Sequence, residues 1–241
     1  MGTDRSSARR RVLRLLWMFA AAAAISSCGG SGSPAGPSTT TTSGSSCRTY
    51  TSAATVTTTP LNAAATLVVS ATFDTSTKQL TELFKSTSGA LCTTAVINYA
   101  SIADFVDEVR VIPGVTLALS NTQTNSAACG SGSGTVTYSY DSMRRLTGFS
   151  SPGGTTTYTA WDSSGRPTTG MFSSGTTIST VYDNTSRTLT QTQTTAAGVK
   201  TVNVQSFDAN GNQTTVVVLD AGGATTSTAT YNIMSTATVC K

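Results

Sequence analysis

The chain has 241 residues, 82 of them Ser or Thr, with 11% charged residues, no His and a formal net charge of +4. That net charge lies in residues 1–27, where five arginines face Asp4; the other 10 basic and 10 acidic side chains cancel. The remainder therefore offers no basic patch for nucleic-acid phosphates, and the chain lacks the commonest general base, zinc ligand and activator of a Ser or Cys nucleophile.

Residues 1–14 are polar and basic, and Leu15 to Ile25 form an uncharged apolar run. Eleven residues rise about 16 Å as a helix, short of a ~30 Å hydrocarbon core, so the pattern predicts an export signal. Ile25-Ser26-Ser27-Cys28 follows. It resembles the lipobox of bacterial lipoproteins, which implies a signal peptide over 1–27 and lipidation of Cys28 as the new N-terminus. Gly29 after that cysteine, where Asp would favour inner-membrane retention, points to the outer membrane. Arg9-Arg10-Arg11 is similar to a twin-arginine motif, but a plain basic n-region is the favoured reading, and no cofactor is expected. The expected partner at this end is the membrane, through the lipid.

Residues 28–46 are rich in Gly, Ser, Thr and Pro and contain no large apolar residue, so they read as a flexible tether. Four cysteines remain beyond Cys28: Cys47, Cys92, Cys129 and Cys240. In an oxidising compartment they predict two disulfides, with the connectivity left open. Cys47 and Cys240 bracket the folded part.

Residues 47–134 are the less regular region. Strands are predicted at Arg48 to Thr59, Ala65 to Phe73 and Val109 to Leu119, and a helical turn or strand at Lys78 to Lys85. Apolar residues at 102, 105, 106 and 109 predict a short helix near 101–109. This region is expected to cap one open end of a repeat sheet.

Residues 135–241 repeat. An aromatic-aspartate pair recurs as Tyr140-Asp141, Trp161-Asp162, Tyr182-Asp183 and Phe207-Asp208, with Tyr231-Asn232 a degenerate fifth and Phe73-Asp74 an earlier copy. Four residues after each of the first three aspartates stands Arg145, Arg166 or Arg187, and Asn212 follows Asp208. Alternating β-branched and aromatic residues before each aspartate predict strands at Thr135 to Tyr140, Thr155 to Trp161, Thr176 to Tyr182 and Val199 to Phe207. The aspartate opens a turn by accepting from backbone N–H groups two residues on, and the arginine reaches back to it.

Tyr138-Ser-Tyr-Asp-Ser-Met-Arg-Arg-Leu146 and Trp161-Asp-Ser-Ser-Gly-Arg166 resemble the YD repeat of Rhs-type bacterial proteins. In that family many repeats coil into a hollow β shell, sometimes around a toxin. The resemblance implies a mainly antiparallel all-β fold of stacked hairpins, here an open or curled sheet, since five or six repeats are too few to close a shell. The expected role is a non-enzymatic envelope or surface lipoprotein, a structural or interaction module that meets another envelope protein. The alternatives are a carbohydrate-binding or adhesive module and an accessory of an Rhs-type toxin system.

The remaining candidate residues are weak. Asp104, Asp107 and Glu108 read as a solvated helix face. Asp208, Asn210 and Asn212 lack the closing Glu of a calcium loop, so no metal site is expected. Trp161 and Tyr158, with Tyr138, Tyr140 and Tyr182, form a strip that would stack sugar rings or pack one repeat on the next; packing is the favoured reading.

Overall fold

The computed structural model describes residues 47–60, 65–108, 116–126, 132–209 and 211–241. Cys28, Cys129, Asn210 and residues 109–115 of the strand expected over 109–119 lie outside them. Alternating polar and apolar residues interrupted by Gly- and Asp-containing turns favour hairpins throughout. Fourteen strands result: β1 (Cys47–Pro60), β2 (Ala65–Asp74), β3 (Gln79–Ser86), β4 (Leu91–Asn98), β5 (Ser120–Asn125), β6 (Gly132–Tyr140) and β7 (Leu146–Ser151). They continue as β8 (Gly154–Trp161), β9 (Pro167–Phe172), β10 (Thr177–Asp183), β11 (Thr188–Thr194), β12 (Lys200–Phe207), β13 (Gln213–Leu219) and β14 (Thr225–Cys240). Among the described residues one six-residue helix, α1 (Ile102–Asp107), is capped by the Ser101 hydroxyl, which accepts from the Asp104 N–H.

Every strand pairs antiparallel with its chain neighbours, and β1 pairs with β14, from Cys47 opposite Cys240 to Pro60 opposite Ser227. The sheet is therefore a closed barrel rather than the open or curled sheet expected. The expectation that too few repeats are present to close falls with it: residues 47–134 supply further wall strands and leave no open end to cap. The seam is fastened by the Cys47–Cys240 disulfide. Cys92 is disulfide-bonded as well.

Several local expectations change. Residues 116–119 are not a strand; β5 begins at Ser120, and neither it nor β4 stood out in the sequence. Of the two readings open for 78–85, the strand is the one seen, as β3 over 79–86. Tyr231-Asn232 opens no turn, because β14 runs straight through it with Asn232 opposite Thr55. Its lack of a following Gly or Arg explains why the strand continues.

Since strands alternate in direction, the turns after β2, β6, β8, β10 and β12 share one rim of the barrel with α1 and the Cys47–Cys240 bridge. Fourteen strands enclose more width than side chains alone fill in an eight-stranded barrel. Here the inward Val69, Leu80, Ile97, Ile178 and Val218 are all buried, so the interior is packed. Near the shared rim Phe105 of α1 plugs the mouth. It stacks on Phe73, with ring centroids 3.8 Å apart, and meets Tyr50 and Tyr99 edge-on. Outward positions carry hydroxyls: Thr155, Thr157 and Thr159 on β8 are exposed, while Thr156 between them is buried. On β6, β8 and β10 the tyrosines lie on the inner face, the reverse of a lipid-facing barrel with its outer apolar band and aromatic girdles. Among the described residues no helix is long and apolar enough to cross a membrane.

Candidate functional site

The repeat turns fall into two kinds. At Asp141, Asp162 and Asp208 the loop has three residues. The aspartate N–H donates to the carbonyl of the residue four on, Arg145, Arg166 or Asn212. The third loop residue takes a left-handed φ, 61° at Arg144 and 77° at Gly165 and Gly211, the usual form of a three-residue hairpin. The fourth residue then stands directly opposite the aspartate. Asp141 Oδ1 accepts from Met143 and Arg145 N–H, and Oδ2 accepts from Arg145 Nε at 2.7 Å. Asp162 repeats this with Ser164 and with Arg166 Nε at 2.7 Å. Asp208 does so with the Asn212 amide at 2.9 Å.

At Asp74 and Asp183 the loop is one residue longer, and Asp74 pairs with Gln79 and Asp183 with Thr188. The left-handed residue is now the fourth, Lys78 (φ 58°) or Arg187 (φ 54°). Each carboxylate instead accepts from the N–H groups two and three on: Ser76 and Thr77, or Thr185 and Ser186. The expectation that Arg187 reaches back to Asp183 is therefore corrected, because a residue still within the loop does not face the strand residue that opens it.

The clamped arginines also grip the next repeat. The Arg145 guanidinium lies 4.6 Å over the Trp161 ring, and that of Arg166 lies 4.1 Å over Tyr182. Trp161 Nε1 donates to the Leu146 carbonyl at 2.9 Å, and the Tyr182 hydroxyl donates to the Pro167 carbonyl at 2.9 Å. Arg166 Nη1 adds a bond to Asn184 Oδ1. Each aromatic thus caps the carbonyl one residue past the preceding arginine while that arginine covers its face. The first member of the series, Tyr140, instead shares its one hydroxyl proton between the Thr116 and Ala118 carbonyls. At the last, Thr51 of β1 donates to Asn212 Oδ1, tying the final clamp to the seam. Phe207 packs with Leu189 and Tyr182.

Hydrogen bonds set the charge of these turns. The Arg145 N–H, with the Arg145 side chain, holds the Asp141 carboxyl below its ordinary value. At Asp162 partial burial pushes upward, but the Arg166 N–H and guanidinium outweigh it and the net direction is down. The Ser76 hydroxyl and N–H lower Asp74, and those of Ser186 lower Asp183.

The two rings considered for sugar stacking are both engaged. Trp161 is half-buried, with its N–H used and its face beside Arg145. Tyr158 lies in the wall next to Phe149 and over Gly170, where an added Cβ would come within 2.7 Å of its ring. The acidic group at α1 is not one solvated face. Asp104 pairs with Arg144 and Asp107 with Lys241, whereas Glu108 is 3% exposed and lies 3.7 Å from Arg48. Glu82 of β3 is buried beside that pair, and sequence reading passed over both it and Arg48. Their only signal was a charge at an inward position of a strand. Among the described residues no group of three or more His, Cys, Asp or Glu is placed to hold a metal ion.

Fold and turns together define a closed, up-and-down antiparallel barrel whose hairpins are bolted to one another by aspartate, arginine and aromatic side chains. No protein-family model matches the chain, and no curated protein matches it.

Proposed function

We propose that this chain is a non-enzymatic structural or interaction module of the bacterial envelope, exported and anchored to the outer membrane by lipid on Cys28, with YD-like repeats as its building unit. The observation that carries the reading is the use of the motif residues. Arg145 and Arg166 are spent on their own aspartates and on the next repeat's ring, which is the work of a scaffold rather than of a reacting centre. The same geometry supports the likeness to YD repeats, since aromatic, aspartate and arginine act as one unit. On this reading partners meet the outer wall, where hydroxyls such as those of Thr155, Thr157 and Thr159 are exposed. The carbohydrate-binding alternative then moves from Tyr158 and Trp161 to these rows.

The test is fractionation of the full-length chain expressed in a diderm bacterium. The parent is expected in the outer-membrane fraction and resistant to carbonate extraction, and Cys28→Ser in the soluble fraction. A Cys28→Ser variant that stays with the membrane overturns the anchor. A glycan screen of the mature chain separates the alternatives: saturable binding that survives Trp161→Phe but is lost on changing the β8 threonines to Glu supports the carbohydrate role.

A further inference from the structure

Beneath α1 the barrel mouth holds a group of ionisable side chains that the repeat does not require. Arg48, Glu82 and Glu108 are 0%, 3% and 3% exposed. They come from three separate elements: β1, β3 and the C-terminal cap of α1. Arg48 Nη1 donates to the Phe105 carbonyl at 2.6 Å, lies 3.7 Å from Glu108 Oε2, and carries its guanidinium 3.8 Å over the Phe105 ring. Arg48 thus holds the plug by its backbone, its aromatic ring and its terminal carboxylate together. Glu82 is buried within the electrostatic reach of both charges, and neither its Oε1 nor Glu108 Oε2 has a hydrogen-bond partner.

The surroundings supply no second cation among the described residues. Tyr99, after β4, faces Arg48 and Glu108, and Tyr231 of β14 faces Glu82; burial raises both phenols, so they remain neutral. Asp104 and Asp107 of α1 are engaged with Arg144 and Lys241. One guanidinium therefore serves two carboxyls. A dry interior tolerates a paired charge but not an extra one, so one carboxyl keeps its proton. Glu108 takes the ion pair, which leaves the proton on Glu82.

We propose that Glu82 is a proton-operated latch on the α1 plug: while protonated it leaves the Arg48–Glu108 pair balanced and the barrel mouth shut, and its ionisation loosens the plug. Burial pushes the Glu82 carboxyl up to about 8, against the opposing pull of Arg48, and burial also raises Glu108. A plug that lifts returns the Glu82 carboxyl to its ordinary value, while Glu108, ionised beside Arg48 when the plug is shut, stays ionised. The closed form binds the extra proton, so acid tightens the plug. Opening increases about tenfold per pH unit between roughly 4.5 and 8, then levels off.

Hydrogen–deuterium exchange of the full chain tests this. Protection of the amides of residues 99–108, corrected for intrinsic exchange, is compared at pH 5 and pH 8, with β9 to β12 as the internal reference. The parent is expected to lose protection there by about a hundredfold or more, while the reference strands change little. Glu82→Gln keeps the shape of the protonated acid and is expected to hold protection within about threefold across the range. Glu108→Gln leaves Glu82 as sole partner of Arg48 and is expected to be equally flat. The proposal is overturned if parental protection does not fall with pH, if either variant follows the parent, or if Glu82→Gln fails to fold.

Discussion

The hairpin at Asp162 and the hairpin at Asp183 begin with the same signature, an aromatic, an aspartate and an arginine four residues later. In the first, a three-residue loop with Gly165 in the left-handed region places Arg166 opposite its aspartate, buries it and presses it on Tyr182. In the second, the loop is one residue longer, Arg187 itself takes the left-handed conformation, and it is exposed. The motif therefore specifies a turn in both places but a clamp in only one. Loop length decides which, by setting whether the arginine is a strand residue or a loop residue.

The sharpest way to break that comparison is to truncate the two arginines. Arg166→Ala leaves the Asp162 carboxylate without its cation in a half-buried site and uncovers Tyr182. The expected loss is about 3 kcal/mol, the low end for breaking a buried ion pair. Arg187→Ala is expected to change stability by less than about 0.5 kcal/mol, as an unengaged surface residue should. Urea unfolding of the two variants reads both values, and equal losses would erase the distinction.

A comparable effect is expected at the seam. The Cys47–Cys240 bridge closes a loop with a sequence separation of 193, for which chain entropy predicts stabilisation of about 5 kcal/mol, often less in practice. Cys47→Ala with Cys240→Ala should lower the melting temperature by several degrees without abolishing folding, because the β1–β14 ladder remains. Calorimetry decides, and an unchanged melting temperature would mean that the ladder alone holds the barrel shut.

The aspartates should differ more gently. Asp183→Ala removes turn bonds to Thr185 and Ser186 N–H, worth about 1 kcal/mol, whereas Asp162→Ala also strips Arg166 of its partner and is expected to cost about twice as much. Thermal unfolding measures both. The two turns also share a pH response. Their carboxyls are lowered in the folded state, so this stability is present above the ordinary carboxyl value and is lost as pH falls through the folded values. Glu82 runs the other way. Its carboxyl is raised, so the folded form loses stability as pH climbs from about 4.5 to about 8. Glu82→Gln should therefore stabilise the barrel at pH 8 and do nothing at pH 4, and a stability difference independent of pH would contradict the burial argument.

Much of this is legible in the sequence. The alternation around Tyr140, Trp161, Tyr182 and Phe207 marked strands, and each following aspartate marked its turn. The apolar spacing at 102, 105 and 106 marked α1. Closure was not legible, because pairing between residues 47–60 and 227–240 leaves no local periodicity. Asp220 escaped notice although its turn has the same three-residue form, with Gly223 at φ 83° and Asp220 bonded to Gly222 and Ala224 N–H. It follows Leu219 rather than an aromatic. The loop lengths at Asp162 and Asp183 were hidden too, since Arg144 adopts positive φ without being Gly. The Arg48, Glu82 and Glu108 group could not be assembled from positions 60 residues apart whose only common feature is burial in the fold.

The central claim is that arginine and aromatic side chains of successive repeats are energetically coupled across the wall. A double-mutant cycle on Arg166 and Tyr182 measures this directly, using Arg166→Ala, Tyr182→Leu and the double variant in urea unfolding. The account predicts a coupling of about 1–2 kcal/mol, as for a cation over a ring shielded from water. The parallel cycle on Arg187 and Phe207 should give none. Additive losses at Arg166 and Tyr182, or equal coupling in the two cycles, would contradict it.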